Sequence, residues 1–131
     1  MFKLSKIIIL ICSLIVTSVF ANEVPEISQQ DYLEAVKSPN NIVLLDVRSK
    51  EEYNEGHVPG AINISHNTIK DNLNFLKQHK NSTVIVYCRS GRRAAFAENI
   101  LAENGFTNLQ HLTGDMNGWL KANLPVETVE K

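Results

Sequence analysis

Short apolar runs alternate with helical patterns along most of the chain. The runs at 42–45 and Thr83–Tyr87 are continuous, which is typical of strands covered on both faces of a sheet. Shorter strands are predicted at 24–27, 61–64 and 108–112. The alternation predicts one α/β domain around a central, mostly parallel five-stranded sheet with helices on both faces.

Capping residues mark where helices start and end in the segments between these strands. Ser49 precedes Glu52 by three positions, which matches the capping-box pattern, and Ser28 precedes Asp31 by three, a variant of that pattern. Asn104-Gly105 is a typical helix end. Helices are therefore predicted at 29–37, 50–54, 67–80, 92–104 and 116–122, followed by an irregular tail with frayed ends.

The first residues have the pattern of a secretory signal peptide. Lys3 and Lys6 precede an apolar run at 7–19, and small residues stand at the positions expected before cleavage after Ala21. The apolar run is shorter than the about 20 residues that cross a bilayer. The sequence thus predicts a cleaved signal peptide at 1–21, a single domain at 22–131, periplasmic localisation, and no membrane attachment after cleavage.

Charge and cysteine content narrow the class of function. The chain has 13 basic and 14 acidic residues, and losing Lys3 and Lys6 leaves 11 against 14, a net charge of −3. This balance gives no reason to expect nucleic acid binding. Of the two cysteines, Cys12 would leave with the signal peptide. Cys88 would then be a lone thiol, without a disulfide or a Cys-x-x-Cys motif.

Cys88 stands between the 83–87 strand and a predicted helix, and it is the candidate nucleophile. The first N–H groups of a helix are unpaired and carry the positive end of its dipole, so a thiol placed there is favoured as the reactive thiolate. A buried structural cysteine is the alternative, but it would gain nothing from three nearby arginines. The predicted anion-binding loop consists of Arg89, Ser90, Gly91, Arg92 and Arg93.

Three segments of the chain resemble the rhodanese-like family in its small single-domain form. They are Asp46-Val47-Arg48 with the following Glu52-Tyr53 and Gly56-His57-Val58-Pro59-Gly60-Ala61-Ile62-Asn63, then Tyr87-Cys88-Arg89-Ser90-Gly91-Arg92-Arg93-Ala94, and Leu112-Thr113-Gly114-Asp115-Met116-Asn117-Gly118-Trp119. The likeness covers nearly all of 22–131. Together with the predicted signal peptide, it resembles the periplasmic thiosulfate sulfurtransferases.

The resemblance implies that Cys88 takes sulfur from a small anionic donor such as thiosulfate, holds it as a persulfide, and passes it to cyanide or a thiol. It implies no metal and no organic cofactor, and we expect a monomer. Arg93 is expected to close the loop and Arg89 to lie at its mouth. Asp46 and Arg48 are expected to brace the loop as a pair, with Asp46 accepting hydrogen bonds from it.

The remaining histidines and the single tryptophan are expected to be structural. His57 is expected to hold its own loop, and Trp119 to lie in the core or the pocket wall. The other three histidines, which lack metal-ligand spacing, are expected to be surface or ordinary strand residues: His66, His79 and His111.

Two other functions stay open. The rhodanese fold resembles that of cysteine phosphatases whose loop reads Cys-x5-Arg, which would make the protein a phosphatase or arsenate reductase. Here the fifth residue after Cys88 is Arg93 and the sixth is Ala94, so the loop is one residue short for that pattern. The second alternative is a persulfide carrier or partner-binding module that relays sulfur without turning over thiosulfate.

Overall fold

Five parallel strands form the centre of the domain. The computed structural model describes residue 15 and residues 23–131, so the predicted signal peptide at 1–21 lies, apart from Ile15, outside the described residues. The strands are β1 (Glu26–Ile27), β2 (Ile42–Asp46), β3 (Ile62–Asn63), β4 (Thr83–Tyr87) and β5 (Leu109–Leu112). Their order in the sheet is β1-β5-β4-β2-β3, and every pairing is parallel. The α/β prediction is therefore confirmed.

Helices cover the sheet on both faces. Ser28 accepts a hydrogen bond from the Asp31 N–H, and Ser49 and Glu52 form a complete capping box, so both predicted helix starts are confirmed. Within residues 23–131, no helix has the length and apolar character needed to cross a bilayer. The helices are α1 (Gln29–Ala35), α2 (Lys50–Glu55), α3 (Leu73–Leu76), α4 (Arg92–Glu103) and α5 (Asp115–Lys121).

The predicted helix at 67–80 is wrong as a continuous element. The segment consists of the short α3 and three 3-10 turns, at His66–Thr68, Lys70–Asn72 and Lys77–His79. Asn72 leaves helical backbone geometry, and its side-chain amide donates to the carbonyl of Thr68. Asparagine side chains compete with the backbone for hydrogen bonds in this way. The segment therefore has the apolar spacing of a helix without forming a continuous one.

Alternate residues of β2 and β4 enter two separate cores. Cys88 belongs to the core beneath α4, whereas Tyr87 faces the opposite core, which also holds Trp119 of α5. Trp119 is 1% exposed and confirms the prediction of a core position. The strand residues of the first core are Val43, Leu45, Val84, Val86 and Leu109, and those of the second are Leu44, Ile85, Tyr87 and Leu112.

The tail after α5 is irregular, as predicted, but it is not frayed over 125–129. The N–H groups of His57 and Glu127 each donate to the other residue's carbonyl, at 2.9 and 3.0 Å. Val129 N–H donates to the Asn54 carbonyl at 3.1 Å. These bonds hold the tail against the end of α2. Backbone groups on both segments gain hydrogen-bond partners in this way.

Candidate active site

Parallel pairing brings the ends of β2 and β4 together at one edge of the sheet. Asp46 and Tyr87 are register partners at these ends, and Cys88 follows directly. Gly91, with φ at +114°, turns the chain into α4. Its N–H donates to Cys88 Sγ at 3.0 Å. The predicted strand, loop and helix are thus present, with the sulfur at the start of a 12-residue helix.

The arginines of the loop take different positions. Arg89 and Arg92 are exposed, whereas the Arg93 guanidinium binds both carboxylate oxygens of Glu52 at 2.7 and 3.0 Å. The hydrogen bonds from Arg93 lower the pKa of Glu52 to about 2. Arg93 therefore joins α4 to α2, and the part it takes in substrate binding stays a prediction.

Asp46 and Arg48 form a buried pair beside the loop. The Arg48 guanidinium donates to both Asp46 carboxylate oxygens, the shortest contact being 2.7 Å, and a further bond at 2.7 Å reaches the Gly56 carbonyl. The Tyr87 hydroxyl donates to Asp46 Oδ2 at 2.7 Å and accepts from the Val58 N–H. Burial raises the pKa of Tyr87, so this hydroxyl remains a donor.

Asp115, which sequence reasoning had not singled out, holds the cysteine loop from the start of α5. Its Oδ1 accepts from the Cys88 N–H at 2.9 Å, the role expected of Asp46. Two more bonds join the segments: Met116 N–H donates to the Cys88 carbonyl at 2.9 Å, and Asn117 N–H to the Arg89 carbonyl at 3.1 Å. Asp115 has φ at +54°, a conformation that aspartate tolerates better than most residues.

His111 lies in β5, in agreement with the expectation of a strand residue, but its contacts with two acidic side chains were not expected. Its side chain is 13% exposed and lies between two carboxylates, with Nδ1 2.6 Å from Glu98 Oε1 and Nε2 3.0 Å from Asp115 Oδ2. These hydrogen bonds raise the pKa of His111 to about 10, and the bond with Asp115 has the larger effect. His57, by contrast, is structural as predicted, because its Nδ1 bonds the Tyr53 carbonyl at 2.8 Å and its ring stacks on Tyr53.

Two cavities flank the loop; Cys88 is 1% exposed and is not among the residues that line either of them. The first measures about 330 Å³ and the second about 630 Å³. Residues 23–131 contain no cluster of three or more side chains suited to a metal ion. The first cavity, called here the arginine cleft, is lined by Arg48, Glu52, Glu55, Gly56, Arg89, Met116, Asn117, Leu120 and Val126. The second is lined by Glu23, Val24, Glu26, Ser90, Gly91, Ala95, Glu98, Asn99, His111, Gly114 and Asp115.

This combination of sheet order, cysteine loop and helix start defines the class of the protein. Residues 28–122 match the model of the Rhodanese-like domain. The chain belongs to the rhodanese-like family.

Curated relatives carry both sulfurtransferase and sulfur-carrier names. The chain is 41% identical over 70 residues to thiosulfate sulfurtransferase PspE of Escherichia coli, covering 53% of this chain and 67% of that protein. It is 31% identical over 99 residues to the putative sulfur carrier protein YrkF of Bacillus subtilis, covering 76% of this chain. That match spans 52% of the B. subtilis protein.

Solved structures show the same fold. A rhodanese-related protein from Thermoplasma volcanium aligns with a TM-score of 0.69 at 26% identity, covering 79% of this chain and 97% of that one. A Bacillus halodurans protein aligns with a TM-score of 0.70 at 32% identity, covering 79% of this chain and 77% of that one.

Proposed function

We propose that this protein is a thiosulfate sulfurtransferase that works through a persulfide on Cys88. The observation that carries the proposal is the hydrogen bond from the Gly91 N–H to Sγ at the start of α4. A donor in this position stabilises negative charge on sulfur, in the thiolate and again in the persulfide. The name of the E. coli relative supports thiosulfate as the donor.

The reaction consists of two displacements on sulfur. The Cys88 thiolate attacks the outer sulfur of thiosulfate, a new S–S bond forms, and sulfite leaves with the electron pair of the broken S–S bond. Cyanide or a thiolate then attacks the outer sulfur of the persulfide. The product is thiocyanate or a new persulfide, and Cys88 leaves as the thiolate. A good leaving thiolate favours the second step as much as a good nucleophile favours the first.

Two arginines in the arginine cleft, beside Glu52 and Glu55, are the candidates for attracting a dianionic donor. Arg89 lines the cleft from the cysteine loop, and Arg48 lines it from the end of β2. The Arg48 charge is balanced by Asp46 at 2.7 Å, whereas Arg89 is exposed. We therefore assign Arg89 the larger part in attracting the donor, with the N–H groups of the loop receiving the anion deeper in the site.

Intact mass measured before and after thiosulfate, and again after cyanide, tests the proposal. We expect a gain of about 32 Da, one sulfur atom, that cyanide removes. Cys88→Ser should show no gain, while its circular dichroism and urea unfolding match the wild type. Absence of the adduct in the wild type would contradict the proposal, and p-nitrophenyl phosphate would then test the phosphatase alternative.

The second candidate function is sulfur relay to a protein or small thiol, favoured by the name of the B. subtilis relative. A carrier and an enzyme with cyanide or thiol acceptors share the persulfide and differ in the second displacement. Single-turnover transfer from the loaded protein separates them. Transfer to cyanide or glutathione as fast as thiosulfate turnover supports the enzyme, whereas a stable persulfide that neither acceptor discharges supports the carrier.

Export to the periplasm is proposed on the sequence alone, from the lysines, apolar run and small residues at 1–21. Expression of the full chain in a Gram-negative host, followed by osmotic-shock fractionation and intact mass, tests it. A periplasmic product with the mass of a chain that begins at residue 22 would support export, and a full-length cytoplasmic product would contradict it.

A further inference from the structure

A line of hydrogen bonds runs from α4 through β5 to the backbone of the cysteine. Glu98 Oε1 lies 2.6 Å from His111 Nδ1, and His111 Nε2 lies 3.0 Å from Asp115 Oδ2. The other oxygen of Asp115 accepts from the Cys88 N–H at 2.9 Å. Glu98 and Asp115 are 5% and 3% exposed, so this line is largely buried where it borders the second cavity.

The contacts of the imidazole ring favour a positive charge on it. An ionised carboxylate only accepts hydrogen bonds. Each ring nitrogen of His111 faces a carboxylate oxygen, so with Glu98 and Asp115 both ionised, both nitrogens donate and the ring is an imidazolium. The raised pKa of His111, about 10, agrees with this assignment.

The same pair packs against the residue that binds the sulfur. A Cβ placed on Gly91 would lie 3.3 Å from Asp115 Oδ2 and 4.0 Å from His111 Nε2. Gly91 is the residue whose N–H donates to Cys88 Sγ. The carboxylate of Asp115 is therefore close to the sulfur, where its charge opposes the thiolate, and the adjacent imidazolium offsets that charge.

Other charges around this group are more exposed. Glu26 is the register partner of His111 on β1, and Glu23 lines the same cavity; both are exposed to solvent, which screens them. On α4, the guanidinium of Arg93 is bound to Glu52.

We propose that His111 is a positioning residue for sulfur transfer: it holds the Asp115 carboxylate in place to receive the Cys88 N–H and neutralises that carboxylate beside the sulfur. The inference rests on the proposed function, since it assigns His111 to the same cysteine. His111 touches neither sulfur nor substrate. It acts through Asp115, and the site would lose thiolate reactivity without it.

The test is the pH dependence of Cys88 alkylation by iodoacetamide, which needs no sulfur donor. In H111Q the negative charge of Asp115 is left unbalanced, so we expect the half-maximal pH of alkylation to rise by about one unit. The double variant H111Q/D115N removes both charges and retains an amide oxygen for the Cys88 N–H. It should return the half-maximal pH to that of the wild type. His79→Gln, the same exchange away from the loop, is the matched control and should leave the profile unchanged.

A role confined to stability predicts a different pattern. H111Q would then unfold more easily while its alkylation profile stayed at the wild-type position, and D115N would add further damage instead of restoring the profile. Either result would overturn the proposal. If H111Q does not fold, the imidazole nitrogen shifts of the wild-type protein decide, because a neutral His111 ring at about pH 8 contradicts the positive charge assigned to it.

Sulfur transfer is measured separately by intact mass after thiosulfate. A shifted alkylation profile in H111Q without any persulfide in the wild type would contradict the sulfurtransferase proposal and support the effect of His111 on the thiol. A persulfide in the wild type with an unshifted profile in H111Q would support the sulfurtransferase proposal and contradict the role of His111.

Discussion

Arg93 and Glu52 face each other across 41 positions of sequence, with the two guanidinium nitrogens 2.7 and 3.0 Å from the two carboxylate oxygens. The pair joins the first turn of α4, which holds the cysteine loop, to α2. Both side chains are about 28–29% exposed. A bidentate arginine–carboxylate pair fixes the relative orientation of the two side chains as well as their distance. The pair therefore holds the start of α4 in place against α2.

Acid should weaken this tie. The pKa of Glu52 falls from 4.5 to about 2 because Arg93 donates to it. A lowered pKa in the folded state adds stability above pH 4.5 that is lost as the pH falls from 4.5 towards 2. Urea unfolding of the wild type and Glu52→Gln over this range should converge as the pH falls. At neutral pH we expect the variant to be about 0.5–1 kcal/mol less stable, since solvent screens a partly exposed pair. A constant difference at all pH values would contradict the assignment.

Arg89→Ala should weaken the use of thiosulfate. Arg89 lines the arginine cleft, so its loss removes charge that attracts the dianion. We expect KM for thiosulfate to rise about five- to tenfold, the effect of about 1–1.4 kcal/mol, with kcat little changed. Lys70→Ala, which removes an exposed positive charge from a 3-10 turn, is the matched control. Equal effects of the two substitutions would mean that overall charge, not the cleft, attracts the donor.

Gly91→Ala should reduce sulfur transfer at least about tenfold and lower stability by about 1–3 kcal/mol. Gly91 has φ at +114°, and an added Cβ would crowd Asp115 Oδ2 at 3.3 Å. The N–H that binds the sulfur would then move. The control is Gly60→Ala, where φ is +84° and nothing lies within 4 Å.

Gly60→Ala carries the same kind of backbone strain without the crowding. It should therefore lower the urea midpoint and leave the transfer rate per folded molecule unchanged. Retention of wild-type transfer in Gly91→Ala would show that the Gly91 N–H contributes nothing to the chemistry.

Alkaline pH should destabilise the protein through His111. Its pKa rises from 6.5 to about 10, chiefly through the hydrogen bond with Asp115. A raised pKa in the folded state adds stability that is complete below pH 6.5 and is lost as the pH rises towards 10. The urea midpoint of the wild type should therefore be lower at about pH 9 than at about pH 6. His111→Gln should show a smaller change, and an equal change in both proteins would assign the effect to other groups.

Residues whose role follows from local pattern were predictable from sequence. Ser28 and Ser49 are each followed three residues later by an acidic residue, and this spacing predicted the two helix starts. The apolar run before Cys88 and the glycine at position 91 placed the loop between β4 and α4. Such features depend on neighbours along the chain.

Asp115 and His111 depend on strand order, which the sequence did not show. β5 lies between β1 and β4, and this position places His111 under α4 and Asp115 beside Cys88. One signal was available: Asp115 follows a glycine at the end of a strand, the edge where ligands bind in parallel sheets. A histidine in an interior strand also needs a polar partner, but only the sheet order shows that β5 is interior.

The bond between the Cys88 N–H and Asp115 spans 27 positions of sequence, and the tail beyond α5 returns to Asn54 and His57. The site around Cys88 is therefore completed by residues that the ribosome adds well after the cysteine itself. A nascent or truncated chain that ends before residue 115 carries the thiol with neither the Asp115 carboxylate nor the α5 N–H groups that bind the loop carbonyls. Assembly of this site thus depends on translation past α5, and the thiol enters its native setting only after that helix has been made.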